Sequence, residues 1–201
     1  MSQKVIDVTL GLDPSTKIIG FAFVTSDEGE PLWHGIVKIN EPDKGWRDQQ
    51  ISRQLAALKA SLDAHSIVDE VEYRCTAVGI ERMFLGPSPK VAMELSYVAG
   101  AVHQATRQTF PTVEILRFLP PDWREKVGLE RNASKAALAE RATELGSSPD
   151  TPQDEVDSIL IALAARNTIR SQPAVKAASR PSSRGRRSTR VRKSVASSEG
   201  S

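Results

Sequence analysis

The chain has 201 residues, 39% of them hydrophobic, with a net charge of +2, which allows one domain with a full hydrophobic core plus a tail. No apolar leader precedes the first strand pattern, and no run approaches the ~18 apolar residues of a membrane span, so we expect a soluble protein that is not exported. A single cysteine, Cys75, excludes an internal disulfide and a cysteine zinc site, and it favours a reducing compartment.

The first forty residues predict three strands, over residues 5–13, 18–24 and 32–39. In the first strand, large apolar side chains alternate onto one face from Ile6 to Leu12 and leave Asp13 on the other face. A tight connection through Pro14 joins the first two strands, which predicts an antiparallel start.

A helix and a further strand follow. Apolar residues recur with helical spacing and predict an amphipathic helix that ends near His65. These residues are Ile51, Leu55, Leu58 and Leu62. Residues 77–80 then form a buried-strand pattern that ends at Glu81.

The second half predicts alternating helices and strands. Ser88 has the position of an N-cap for one helix, residues 112–118 form a strand, and residues 134–146 form a short helix. Thr151 is expected to cap the last helix in a capping box with Asp154. Three antiparallel strands followed by alternating helices and strands predict an α/β fold around a central mixed sheet.

Four carboxylates stand at strand ends and on the last helix: Asp13, Glu81, Asp154 and Asp157. Asp154 and Asp157 are three residues apart and share a helix face, whereas Glu155 is expected to point outward. Each acid alone is also typical of a solvated loop or a first helical turn. If the four converge, their repulsion requires cations, and all-oxygen ligation suits Mg²⁺ or Mn²⁺ better than zinc.

The segments around these acids carry a family resemblance. They read Gly11-Leu12-Asp13-Pro14-Ser15-Thr16, Ile80-Glu81-Arg82-Met83-Phe84 and Pro152-Gln153-Asp154-Glu155-Val156-Asp157-Ser158. In order and spacing, they resemble the RuvC family of Holliday-junction resolvases over roughly residues 5–168. The resemblance implies a ribonuclease-H-like fold and an enzyme that nicks four-way DNA junctions symmetrically, in the cytoplasm of a bacterium or a phage-infected bacterial cell. Because such a junction has two equivalent strands to cut, we also expect a homodimer, with a helix over residues 89–107 as the candidate interface. The resemblance also implies that the four acids are catalytic and hold two Mg²⁺ (or Mn²⁺) ions.

The same resemblance implies DNA contacts outside the acids. Lys135 follows a helix cap, where amides and ammonium favour an anion, and it resembles a basic position of the family. Arg124 is a looser match, and either cation could instead be a solvated surface residue. Phe84 stands where the family uses an aromatic side chain to stack on an unpaired base, and the alternative is a core residue. Trp123 is expected in the core or at its rim.

The end of the chain differs from the rest in charge. Residues 1–169, the expected nuclease domain, carry a net charge of −6, and residues 170–201 carry +8. The Pro/Ser/Arg composition of the second segment predicts a disordered tail. We expect it to bind the phosphate backbone through residues such as Arg184, Arg186 and Arg187, with a solubility role as the alternative.

Other functions remain open. The glycine-rich basic loop of the family is replaced by residues 128–132, so a nuclease that debranches DNA more broadly is one alternative. An actin-like sugar kinase or ATPase is another, because residues 11–20 also resemble the phosphate-binding hairpin of that superfamily. Residues 90–169 lack the second glycine-rich turn that such an enzyme needs. A non-catalytic DNA-binding module is the third, and the presence of all four acids argues against it.

Overall fold

A five-stranded mixed sheet organises the protein in the computed structural model, which describes residues 4–82 and 88–172. The strands are β1 (Lys4–Pro14), β2 (Ile18–Thr25), β3 (Pro31–Lys38), β4 (Val71–Glu81) and β5 (Glu114–Phe118). The helices are α1 (Lys44–Val68), α2 (Pro89–Thr109), α3 (Pro120–Lys126), α4 (Lys135–Glu144) and α5 (Gln153–Ser171). The strand order is β3-β2-β1-β4-β5, with β1 to β3 antiparallel and β4 and β5 parallel to β1. The predicted mixed sheet with three antiparallel N-terminal strands is therefore present.

Helices cover both faces of the central strand β1. Val8, Leu10 and Leu12 pack with the buried residues of α1 and α2. On the other face, the hydroxyl of Thr9 donates a hydrogen bond to the carbonyl of Ala162 in α5, with a distance of 3.1 Å. Burial on both faces explains why apolar residues run almost continuously through this strand.

The amphipathic pattern of α1 was predicted correctly. Its buried residues are the four that set the helical spacing, Ile51, Leu55, Leu58 and Leu62. Helix α2 has Ser88 as its N-cap residue, and Val98, Val102 and Ala105 are buried. Near the start of α2, Val91 has the helical spacing of the same apolar stripe, which predicts burial, but it is 49% exposed.

Two local predictions were wrong or incomplete. Helix α5 starts at Gln153 with Pro152 at the N-cap position, and the hydroxyl of Thr151 is buried without a hydrogen-bond partner among the described residues. The capping box is therefore not formed. Helix α3 was not predicted; it begins with Pro120 and Pro121, and proline is well suited to a first helical turn. No helix in the described ranges is long and apolar enough to span a membrane.

Candidate active site

The register of the central strands brings Asp13 and Glu81 to one end of the sheet. Leu12 of β1 pairs with Ile80 of β4 in parallel, so the two acids follow side by side. Asp13 lies two residues after Gly11, and Glu81 two residues after Gly79. Because side chains alternate along a strand, both acids share the sheet face that α5 covers.

Glycines on this face allow α5 to lie unusually close to the sheet. A Cβ on Gly11 would stand 2.0 Å from the carbonyl oxygen of Ser158, and one on Gly20 would stand 2.2 Å from that of Asp154. A Cβ on Gly79 would stand 2.8 Å from the carbonyl oxygen of Ile161. None of these distances leaves room for a side chain. The glycines therefore set the position of α5, and with it the position of Asp154.

Electrostatics shows that the four acids share one environment. Burial raises the pKa of Asp13 to about 8, and the negative charges of Glu81, Asp157 and Asp154 contribute to the increase in that order of importance. Asp13 is thus the one carboxyl that is influenced by all the others. The structure brings the four predicted acids together around it.

Two of the acids have specific hydrogen-bond partners. Nε1 of Trp123 donates to Oε2 of Glu81 at 2.7 Å, and Nε2 of Gln153 donates to Oδ1 of Asp157 at 2.7 Å. Burial raises the pKa of both carboxyls, and these hydrogen bonds lower it in part. Neither Trp123 nor Gln153 was among the expected site residues. Trp123 belongs to the unpredicted helix α3, and its role depends on a contact that the local sequence does not indicate.

Two cations accompany the acids. Arg124 lowers the pKa of both Glu81 and Asp157, and Lys135 lowers that of Asp157. Arg124 extends from α3, with its guanidinium carbon 5.3 Å from the centroid of the Trp123 ring. Lys135 is the first residue of α4, next to the N-cap Ser134. Both cations lie where they can offset negative charge at the site.

The carboxylates do not stand in a ready-made metal cage. Among residues 4–82 and 88–172, no three His, Cys, Asp or Glu side chains are grouped closely enough to hold a metal ion as they stand. Glu81 and Asp157 are instead hydrogen-bonded to Trp123 and Gln153. The donor set itself, four carboxylates on two strands and one helix, fits a hard divalent cation such as Mg²⁺ or Mn²⁺.

Glu155 was expected to point outward, and the structure corrects this. Its Oε2 lies 2.5 Å from Nδ1 of His34 on β3, and its side chain is only 15% exposed. This contact joins the first turn of α5 to β3. It keeps Glu155 engaged with a partner outside the group of four acids.

Several predicted features lie outside the described residues. These are Phe84 and the tail cations Arg184, Arg186 and Arg187. The stacking role of Phe84, the DNA-binding role of the tail and the division of the chain at residue 169 stay predictions.

A cavity of about 470 Å³ lies elsewhere, at the start of β4. Its lining includes Glu72, Arg74 and Cys75 and none of the four acids, which stand at the other end of the sheet. Burial raises the pKa of the Cys75 thiol to about 12, so this cysteine is an unreactive packed residue.

Comparison with known proteins supports the predicted family. No family model matches the chain. The chain is 23% identical over 166 residues to the crossover junction endodeoxyribonuclease RuvC of Brachyspira hyodysenteriae, and the match covers 81% of this chain and 96% of that protein. It is 18% identical to Thermus thermophilus RuvC in complex with a Holliday junction substrate, with a TM-score of 0.60 over 81% of this chain and 94% of that one.

A second Thermus thermophilus RuvC structure matches with a TM-score of 0.58, at 18% identity, over 81% of this chain and 95% of that one. These structural similarities confirm the ribonuclease-H-like fold. The chain is therefore similar in sequence to a RuvC protein over most of both chains and has the fold of the RuvC structures.

Proposed function

We propose that the protein is a divalent-metal-dependent endonuclease that nicks four-way DNA junctions symmetrically by phosphodiester hydrolysis. The observation that supports this most directly is the convergence of four acids around Asp13, whose pKa is raised to about 8. Such a cluster opposes folding at neutral pH unless cations neutralise it. A divalent cation is therefore the ligand that suits the four acids, and a bound cation would in turn attract a phosphodiester.

The four acids are the proposed metal ligands. Asp13, Glu81, Asp154 and Asp157 would hold two Mg²⁺ or Mn²⁺ ions. Such ions would supply an activated water and would stabilise the leaving oxygen of the phosphodiester. The chain's own contribution is to orient the four carboxylates on the two strands and on α5.

Arg124 and Lys135 would bind the scissile phosphate. Both are close enough to the acids to lower the pKa of Asp157. Lys135 combines its ammonium with the free amides at the start of α4, which together favour an anion. A phosphate held by these two cations would lie beside the acids, where negative charge develops in the transition state.

We propose further that the protein acts as a homodimer, because a four-way junction presents two equivalent strands and a two-fold assembly presents two equivalent sites. Helix α2 and the start of α1 are the candidate interface. Met93 is 69% exposed, Val91 49% and Trp46 58%. Salt bridges from Lys44 and Arg47 to Glu94 join these two helices at this corner, so the apolar side chains are presented together.

The test is cleavage of a four-way junction, a three-way fork, a flap and a linear duplex in Mg²⁺. We expect symmetric nicks in the four-way junction and loss of cleavage in Asp13→Asn and Asp157→Asn, with junction binding retained. Asp150→Asn is the matched control, because Asp150 is an exposed acid just before α5. Equal cleavage of forks and flaps would favour the broader debranching activity, and full activity of both acid variants would refute the proposed site.

A further inference from the structure

We propose that Trp123 is a positioning residue that holds both the Glu81 carboxylate and the Arg124 guanidinium in place for metal and phosphate binding. The proposal rests on the nuclease function proposed above and assigns a role to a residue outside the four acids. The indole N–H of Trp123 points at an acid of the site, and packing of the ring alone does not require this direction.

The contact with Glu81 is specific. Trp123 is completely buried, and its Nε1 donates to Oε2 of Glu81 at 2.7 Å. An indole N–H can only donate, so a buried tryptophan needs an acceptor, and an ionised carboxylate offers acceptor oxygens alone. This hydrogen bond fixes one oxygen of the Glu81 carboxylate and restrains its rotation.

The contact with Arg124 is made by the aromatic ring of Trp123. The guanidinium carbon lies 5.3 Å from the ring centroid, within the range of a cation–π interaction. Nε of Arg124 is buried and has no hydrogen-bond partner among the described residues, and one Nη donates to the carbonyl of Arg131 at 3.3 Å. The ring thus supplies part of what fixes the guanidinium beside Glu81 and Asp157.

Trp123 consequently contacts both a proposed metal ligand, Glu81, and a proposed phosphate-binding cation, Arg124. Groups that hydrogen-bond to metal ligands orient them, and removing such a group typically lowers metal affinity by about 10–100-fold. We expect Trp123→Phe, which keeps an aromatic ring and removes the N–H, to weaken Mn²⁺ and Mg²⁺ binding about tenfold. Saturating metal should restore most of the cleavage rate.

Metal affinity is best measured without catalysis, by calorimetric titration of the full-length protein with Mn²⁺. Trp33→Phe is the matched control, because Trp33 packs against Phe21 and Phe23 at ring distances of 4.9 and 5.7 Å, away from the acids. We expect the control to bind Mn²⁺ as the wild type does. Melting temperatures in EDTA separate a loss of metal affinity from a general loss of stability.

A second measurement keeps the test decisive if Trp123→Phe does not fold. In the ¹⁵N-labelled wild-type protein, the indole N–H resonance of Trp123 should shift when Mg²⁺ is added and when Glu81 is replaced in Glu81→Gln. An unchanged resonance in both cases, or wild-type Mn²⁺ affinity in a folded Trp123→Phe variant, would overturn the positioning role. If the wild type itself binds no metal and cuts no branched DNA, the proposed function fails instead, and the two failures are distinguishable.

Discussion

Replacing Asp13 by asparagine should stabilise the metal-free protein while abolishing cleavage. The pKa of Asp13 is about 8 in the fold, against an ordinary value of 3.8. Between these values the folded state binds the proton more tightly than the unfolded state. The free energy of unfolding of the wild type therefore falls as pH rises through this window, by up to about 1.4 kcal/mol per pH unit. The amide of the Asp13→Asn variant does not ionise, so this variant escapes the cost.

The expected size follows from the same shift. At pH 7 the full effect would be about 4 kcal/mol. Because Asp13 is partly exposed, water and local relaxation should reduce the gain to roughly 1–3 kcal/mol, or several degrees in melting temperature for a domain of this size. The gain should be small near pH 4, where the carboxyl is protonated in the fold and about half ionised in the unfolded chain, and it should level off above about pH 8.

The assay is thermal or urea unfolding of both proteins in EDTA from about pH 4 to pH 9, followed by the same series in Mg²⁺. Magnesium at about 100 times its dissociation constant should stabilise the wild type by about 2.7 kcal/mol and leave Asp13→Asn almost unchanged. Asp7→Asn is the control on the same strand, since Asp7 is a half-exposed partner of Arg74 at 2.7 Å and its replacement should be slightly destabilising. A stability difference between Asp13→Asn and wild type that does not change with pH would refute this reasoning.

Outcomes are also expected for four further changes to the chain. Gly11→Ala should destabilise the fold by about 1–3 kcal/mol or more and reduce cleavage, because its Cβ would stand 2.0 Å from a backbone oxygen of α5. Gly100→Ala is the control, because no atom lies near its Cβ position, and urea unfolding should show no such loss of stability. Deleting residues 171–201 should make the slope of log DNA affinity against log salt concentration shallower by about 0.9 for each phosphate that the tail neutralises, and saturating protein should restore cleavage. Phe84→Ala should instead reduce the cleavage rate more than it changes the salt dependence of DNA binding. Met93→Glu should shift the protein to monomers in sedimentation, because it places a charge in the exposed apolar corner of α2; an unchanged dimer would place the interface elsewhere.

The sequence alone was sufficient for the features that depend on local periodicity and on the order of motifs. The spacing of Ile51 to Leu62 identified the buried face of α1, and the alternation in β1 placed Asp13 on the face opposite Leu12. The order and spacing of the acids indicated a resemblance to the RuvC family, which the sequence similarity to a RuvC protein supports. These signals are local, because a strand or helix repeats its buried positions every two or about 3.6 residues.

Other features required contacts between distant parts of the chain. Glu155 meets His34 across 121 residues of sequence, and Trp123 meets Glu81 across 42. Neither side chain carries a local pattern that names its partner. Gly11 and Gly79 each precede an acid by two residues, and such glycines indicate close packing of a helix on a strand. The sequence does not show which helix packs there. Only the packing of α5 on the sheet determines which backbone atoms lie against each glycine and which carboxylates are brought together.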